Sequence, residues 1–169
     1  GPGGYVAAIR CTQLGMDVTL ADAEHVGGVC LNHGCIPSKA LIAATNRVEG
    51  VNNIEDMGIY ADPYVDLGEL VDWKDGVVNQ LTNGVESLCR SQDITIVEGK
   101  ISFEDEHRAS VEGSDEFESV EFENAIVATG SQPTEVPGFS FDEPPVLDSR
   151  QALAMEAIPE RLVVVGAGY

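Results

Sequence analysis

Cations are scarce in this 169-residue chain: nine Lys and Arg stand against 29 Asp and Glu, for a formal net charge of −20. Only three of the nine are lysines, Lys39, Lys74 and Lys100. So negative a chain repels phosphates, and no nucleic-acid partner is expected. Long apolar runs are missing as well. No stretch reaches the ~18 residues that a membrane span requires, and no basic-then-apolar leader is present. The expectation is a soluble, cytoplasmic protein with no membrane partner. Histidine and cysteine number only three and four. Zinc sites draw their ligands from two closely spaced pairs, and Cys11, Cys89, His25, His33 and His107 offer no second pair beside Cys30 and Cys35. No metal site is expected.

The abundant residues are acids and glycines. The acids are spread through segments such as VEGSDEFESVEFEN, where Val111, Phe117, Val120 and Phe122 interleave with them at strand spacing, so this is no disordered tail. The pattern reads as a solvated acidic surface of the halophilic kind, with a docking face for a basic partner as the rival. At 43% hydrophobic residues, the chain is long enough for one domain with a core and part of another.

Both ends fall in glycine-rich turns, GPGGY and VVVGAGY, so the chain reads as an internal part of a longer protein. After GPGG comes a helical segment with Val6, Ile9 and Leu14 on one face, then a β-branched run ending at Asp22. This order reads as the later part of a βαβ unit. A pyrophosphate can sit on a helix N-terminus only where the backbone comes close, which is the role for glycine at Gly1 and Gly4. Asp22, about 20 residues on, stands where an acid accepts hydrogen bonds from a ribose hydroxyl.

The stretch GGVCLNHGCIPSK, residues 27–39, places Cys30 and Cys35 five apart. In a regular helix that spacing means about 7.5 Å of rise, beyond the roughly 7 Å that a disulfide can bridge. A redox pair therefore needs an irregular helix, which Asn32, His33 and Gly34 permit. Cys35 precedes Pro37, a residue favoured in a first helical turn, so its sulfur would lie where the helix dipole favours thiolate. Lys39 adds a positive charge one turn further on. An easily formed thiolate beside a bridgeable partner is what two-electron exchange requires.

The same stretch resembles the active-site segment of the class I flavin-dependent pyridine nucleotide–disulfide oxidoreductases. Three other places agree in order and distance: GPGGYVAAIRCTQLG with the FAD fingerprint, AIVATGSQP (125–133) with the family's A-T-G segment, and RLVVVGAGY with a second, NAD-binding glycine turn. The fold implied is α/β: a Rossmann-like FAD-binding domain over 1–150, lacking its first strand and carrying a strand-rich insertion, then the start of a Rossmann-like NAD-binding domain over 151–169. Leu31, Ile36 and Ser38 resemble the dihydrolipoamide-oxidising branch more than the glutathione or mercuric reductases. A non-catalytic FAD-binding redox sensor is the alternative from another class.

The resemblance also implies roles. Cys30 would exchange with the dithiol, and Cys35 would face the flavin with Lys39 at its reactive edge. Gly1, Gly3 and Gly4 would meet the FAD pyrophosphate, Asp22 the ribose, and Gly99 the adenine end. Thr129 and Gly130 would close over FAD, and Gly166 and Gly168 would open the NAD site. The implied partners are dihydrolipoamide on a lipoyl domain of a 2-oxo acid dehydrogenase complex and a second subunit of a homodimer, which would supply the general base. Cys11 and Cys89 read as small buried hydrophobes, His33 as a packing or solvent-facing residue, and Trp73 with Leu70, Val77 and Leu81 as helix core.

Overall fold

The computed structural model describes residues 1–113 and 119–166, apart from the side chains of 52 and 55. The glycine turn opens directly into α1 (Pro2–Gln13), with Gly1 as N-cap and a proline in the first turn. The β-branched run after it forms β1 (Thr19–Asp22). Two consecutive helices follow, α2 (Gly28–His33) and α3 (Cys35–Asn52), and then the 25-residue α4 (Leu67–Ser91). The carboxylate of Asp66 caps α4 by accepting the Glu69 N–H at 3.1 Å.

From α4 the chain enters β2 (Thr95–Glu98), which pairs in parallel with β1 in the register Thr19 to Thr95 through Asp22 to Glu98. The two strands therefore end together, at Asp22 and Glu98, on one edge of the sheet. Beyond them β3 (Lys100–Phe103), β4 (Arg108–Glu112) and β5 (Ser119–Glu121) form an antiparallel sheet in sequential order. This is the expected strand-rich insertion, although Phe117 lies outside the described residues. A short α5 (Ser149–Ala152) carries an Asp148/Gln151 capping box. No helix among the described residues is long and apolar enough to cross a membrane.

The core lies between α1, α4 and the parallel strands, where Ala8, Cys89 and Ile94 are buried and Tyr5, Ile9, Val18, Leu20, Val85 and Ile96 pack on them. Two helix faces differ from expectation. Val6 and Leu14 are exposed, because α1 turns Tyr5, Ala8 and Ile9 into the core instead. On α4, Trp73 and Leu81 are exposed, and the inward stripe is Lys74, Val78, Thr82, Val85 and Cys89, at spacings of three and four. Two of those five are polar, and both are satisfied. The Lys74 ammonium donates to the Leu153 carbonyl at 3.0 Å and pairs with Asp75, and the Thr82 hydroxyl donates to Asn32 at 2.8 Å.

Candidate active site

Gly34 interrupts the helix between the two cysteines and ends α2 while serving as N-cap of α3. That break brings the Cα atoms of Cys30 and Cys35 to 4.6 Å, and the two sulfurs form a disulfide. Cys35 is the first residue of α3 and is exposed, whereas Cys30 is half-buried on α2. Pro37 is buried one turn in, and the Ser38 hydroxyl donates to the Cys35 carbonyl at 3.1 Å. Lys39 is exposed, four residues beyond Cys35. Once reduced, Cys35 therefore sits at the positive end of an 18-residue helix, a setting that favours thiolate.

The redox turn is held by one side chain in particular. The Asn32 amide donates to the Gly28 carbonyl at 3.2 Å, with longer contacts of 3.4 Å to the Val26 and His25 carbonyls. Its own carbonyl accepts the hydroxyl of Thr82 from α4. Beside it, Glu24 accepts from His33 at 3.2 Å and from Arg150 at 3.3 Å, which ties the turn to α5. Burial works against ionisation of Glu24, but the hydrogen bond and charge of Arg150, then those of His33, hold its carboxyl below the usual range. Sequence reasoning missed Thr82, Glu24 and Arg150. No local signal marked them, because each acts through a partner distant in sequence or through a helix face that hydropathy assigned to solvent. Cys89 is fully buried and its thiol is pushed up by burial and by Glu86, consistent with an inert packing residue, while Cys11 is half-buried.

A second group gathers at the carboxyl ends of β1 and β2. The Asp22 carboxylate lies 3.5 Å from the Gly1 nitrogen, and the Gly99 N–H donates to the Asp22 carbonyl at 2.9 Å. With its N–H engaged, Gly99 offers only its carbonyl to a ligand. A Cβ on Gly3 would lie 3.8 Å from the Ala128 side chain, and one on Gly4 would lie at 3.6 and 3.8 Å from Leu20 and Ala128. The bare flanks of these glycines thus face the protein, where a Cβ would make ordinary van der Waals contact. Ala128 carries the exposed Thr129 and Gly130 alongside.

Gly28 joins the two groups. It is left-handed, with φ +61°, and any Cβ there would collide with the Gly1 backbone, so the redox turn lies directly on the glycine turn. The carboxylate, the disulfide and the first turn of α1 share one end of the sheet; in that turn Pro2 has no N–H, the Gly4 N–H donates to the Gly1 carbonyl at 2.9 Å, and the Gly3 N–H has no acceptor among the described residues. That set suits a dinucleotide bearing a redox-active ring: a helix N-terminus for pyrophosphate and a carboxylate for ribose hydroxyls. Gly166 is also left-handed, at φ +110°, and its open side meets no described residue, while Gly168 lies outside the described residues.

Comparison with known proteins agrees with this geometry. The family model described as pyridine nucleotide-disulphide oxidoreductase matches residues 1–169. The chain is 56% identical over 172 residues to a dihydrolipoyl dehydrogenase of Halobacterium salinarum, and 55% identical over 175 residues to dihydrolipoyl dehydrogenase 2 of Haloarcula marismortui. It is 48% identical over 170 residues to the dihydrolipoyl dehydrogenase of Bacillus subtilis. In all three the whole of this chain is matched, but it spans only 36% of the relative's length. Among solved structures, LpdA from Mycobacterium tuberculosis has a TM-score of 0.85 at 22% identity, over 95% of this chain and 36% of that one. At that identity the likeness is one of fold.

Proposed function

Because the chain belongs to the pyridine nucleotide-disulphide oxidoreductase family, we propose that it is the redox-disulfide part of a dihydrolipoyl dehydrogenase, oxidising dihydrolipoamide to lipoamide with NAD as acceptor. The observation that carries this reading is the Cys30–Cys35 disulfide at the start of α3, beside the glycine turn.

In the proposed exchange, a dihydrolipoamide thiolate attacks Cys30, the S–S bond breaks, and Cys35 leaves as thiolate stabilised by the α3 N-terminus. The second substrate thiol then attacks the mixed disulfide, closing lipoamide and freeing the Cys30 thiol. One electron pair has moved from substrate to the cysteine pair. FAD, when bound, supplies the two-electron acceptor that links the cysteines to NAD. In this reading Gly1, Gly3 and Gly4 at α1 would hold its pyrophosphate, Asp22 would accept from its ribose, the Gly99 backbone would meet its adenine end, and Thr129 and Gly130 would lie along it. Lys39 supplies a cation on the Cys35 side. Residues 1–150 form the FAD domain, and 151–169, with Gly166 and Gly168, open the NAD domain. The partners in this reading are a lipoyl domain of a 2-oxo acid dehydrogenase complex and a second subunit. The compartment is the cytoplasm, where thiols are kept reduced.

The test is an anaerobic titration of the intact protein with dihydrolipoamide in high salt, followed through the flavin spectrum. Wild type is expected to be reduced with a long-wavelength band that Cys35→Ser loses, and Cys30→Ser is expected to lose NADH-linked lipoamide turnover by more than about a thousandfold. Reduction by a different dithiol or by NADPH alone would move the assignment to a sister reductase. Unchanged NADH-linked activity in Cys30→Ser would instead identify a silent redox sensor.

A further inference from the structure

The disulfide is also a covalent strut, and it is lost in every cycle of the proposed exchange. While it is closed, it ties α2 to α3 with the Cα atoms of Cys30 and Cys35 4.6 Å apart. Once it opens, α2 is a six-residue helix, too short to hold its place by its own hydrogen bonds. Its remaining anchors are the buried Leu31, the contact of Gly28 with Gly1, the exposed His33–Glu24 pair, and the part-buried polar chain that runs from the Thr82 hydroxyl to the Asn32 carbonyl and from the Asn32 amide to the Gly28 carbonyl. Thr82 and Lys74 are the buried polar residues among those described, and Thr82 occupies an inward place on α4 that valine would fill equally well by volume. Its hydroxyl has one partner, Asn32, which stands between the two cysteines in sequence.

We propose that Thr82 is a positioning residue for the dithiol state: through Asn32 it keeps α2 seated on α4, so that Cys30 stays within bridging reach of Cys35 after the S–S bond breaks. It touches neither sulfur. The inference rests on the disulfide-exchange reading above. The closed disulfide holds α2 in its seat, where the missing hydrogen bond is felt in full, whereas the reduced pair escapes part of that cost by letting α2 lift; loss of the hydroxyl therefore shifts the dithiol–disulfide equilibrium toward the open form.

The experiment equilibrates the intact holoprotein anaerobically with reduced and oxidised dithiothreitol, then traps and counts the free thiols of Cys30 and Cys35. In this exchange, two electrons and two protons pass from the reagent dithiol to the protein disulfide, and the reagent closes to its cyclic disulfide. Thr82→Val is expected to lower the equilibrium constant for closing the protein disulfide about fivefold, the size of one net hydrogen bond. Thr82→Ser is expected to restore it, and oxidised Thr82→Val is expected to melt below wild type by more than the reduced variant does below reduced wild type. Adding Asn32→Ala to Thr82→Val is expected to cost little more than Asn32→Ala alone. If Thr82→Val does not fold, Thr82→Ala against Thr82→Ser makes the same comparison. A closing constant unchanged without the hydroxyl, or not restored by serine, would overturn the inference and leave the redox reading standing. A wild-type pair that does not exchange with the dithiol at all would overturn both.

Discussion

The parallel-sheet layer and the redox turn are both anchored on α4, but by opposite chemistry. Towards its C-terminal end α4 presents Val85 and Cys89 to Ala8 and Ile94, a dry contact with no direction built into it. One to two turns earlier, the same helix presents Thr82 to Asn32, a single hydrogen bond whose geometry fixes how the turn sits. The difference follows from what each region must do. The sheet layer has only to persist, and apolar burial serves that at about 25 cal/mol per Å². In the proposed exchange the turn would have to keep its shape while its own covalent bond opens, and directional contacts specify a position that apolar contact alone leaves loose.

Three substitutions sharpen this contrast. Gly28→Ala is expected to have the largest effect, about 3 kcal/mol, because it combines a left-handed backbone with a collision against the backbone of Gly1. Its damage should centre on the turn. Thermal unfolding of the intact protein, compared with flavin retention, checks whether cofactor is lost before the sheet melts. Val97→Ala, at a residue only 1% exposed on β2, is expected to cost about 2 kcal/mol of overall stability while leaving the dithiol exchange rate within about twofold of wild type. Should Val97→Ala slow exchange as strongly as a change in the turn does, the two regions are not separable as described.

The smallest effect concerns Glu24. Its carboxyl is held below the usual range, so the ion cluster with Arg150 and His33 contributes stability above about pH 4.5 and loses it as pH falls below that. Since the cluster is exposed, Glu24→Gln is expected to lower stability by less than about 1 kcal/mol near neutrality. The melting-temperature gap between Glu24→Gln and wild type should close as the pH is brought below about 4.5. A gap that persists there would mean that Glu24 acts through packing and not through its charge.

Much of this architecture was legible in the chain. The glycine turn, the helix that follows it and the strand ending at Asp22 are local patterns, each set by residues close in sequence, while the strand-rich insertion came with the family resemblance. The break between Cys30 and Cys35 was legible too, since a disulfide across that spacing requires one, and Gly34 supplies it. What escaped were choices between faces. On α4, Trp73 and Leu81 look like core by hydropathy, yet Lys74 and Thr82 face inward. Hydropathy counts a buried lysine as an error unless the distant carbonyl that satisfies it is known, and Leu153 lies 79 residues away.

From the sequence alone came the chemistry: two thiols at a bridgeable spacing, a proline that starts a helix under the second, and an acid about 20 residues past a glycine turn. These are short-range properties of residue type and order. Tertiary structure decided which distant groups meet: Gly1 against Gly28, Gly99 on Asp22, Arg150 on Glu24, and Thr82 on Asn32. The last pair is separated by 50 residues. Contacts of that range depend on how α4 is rotated about its axis, and that rotation is settled by the sum of everything it packs against.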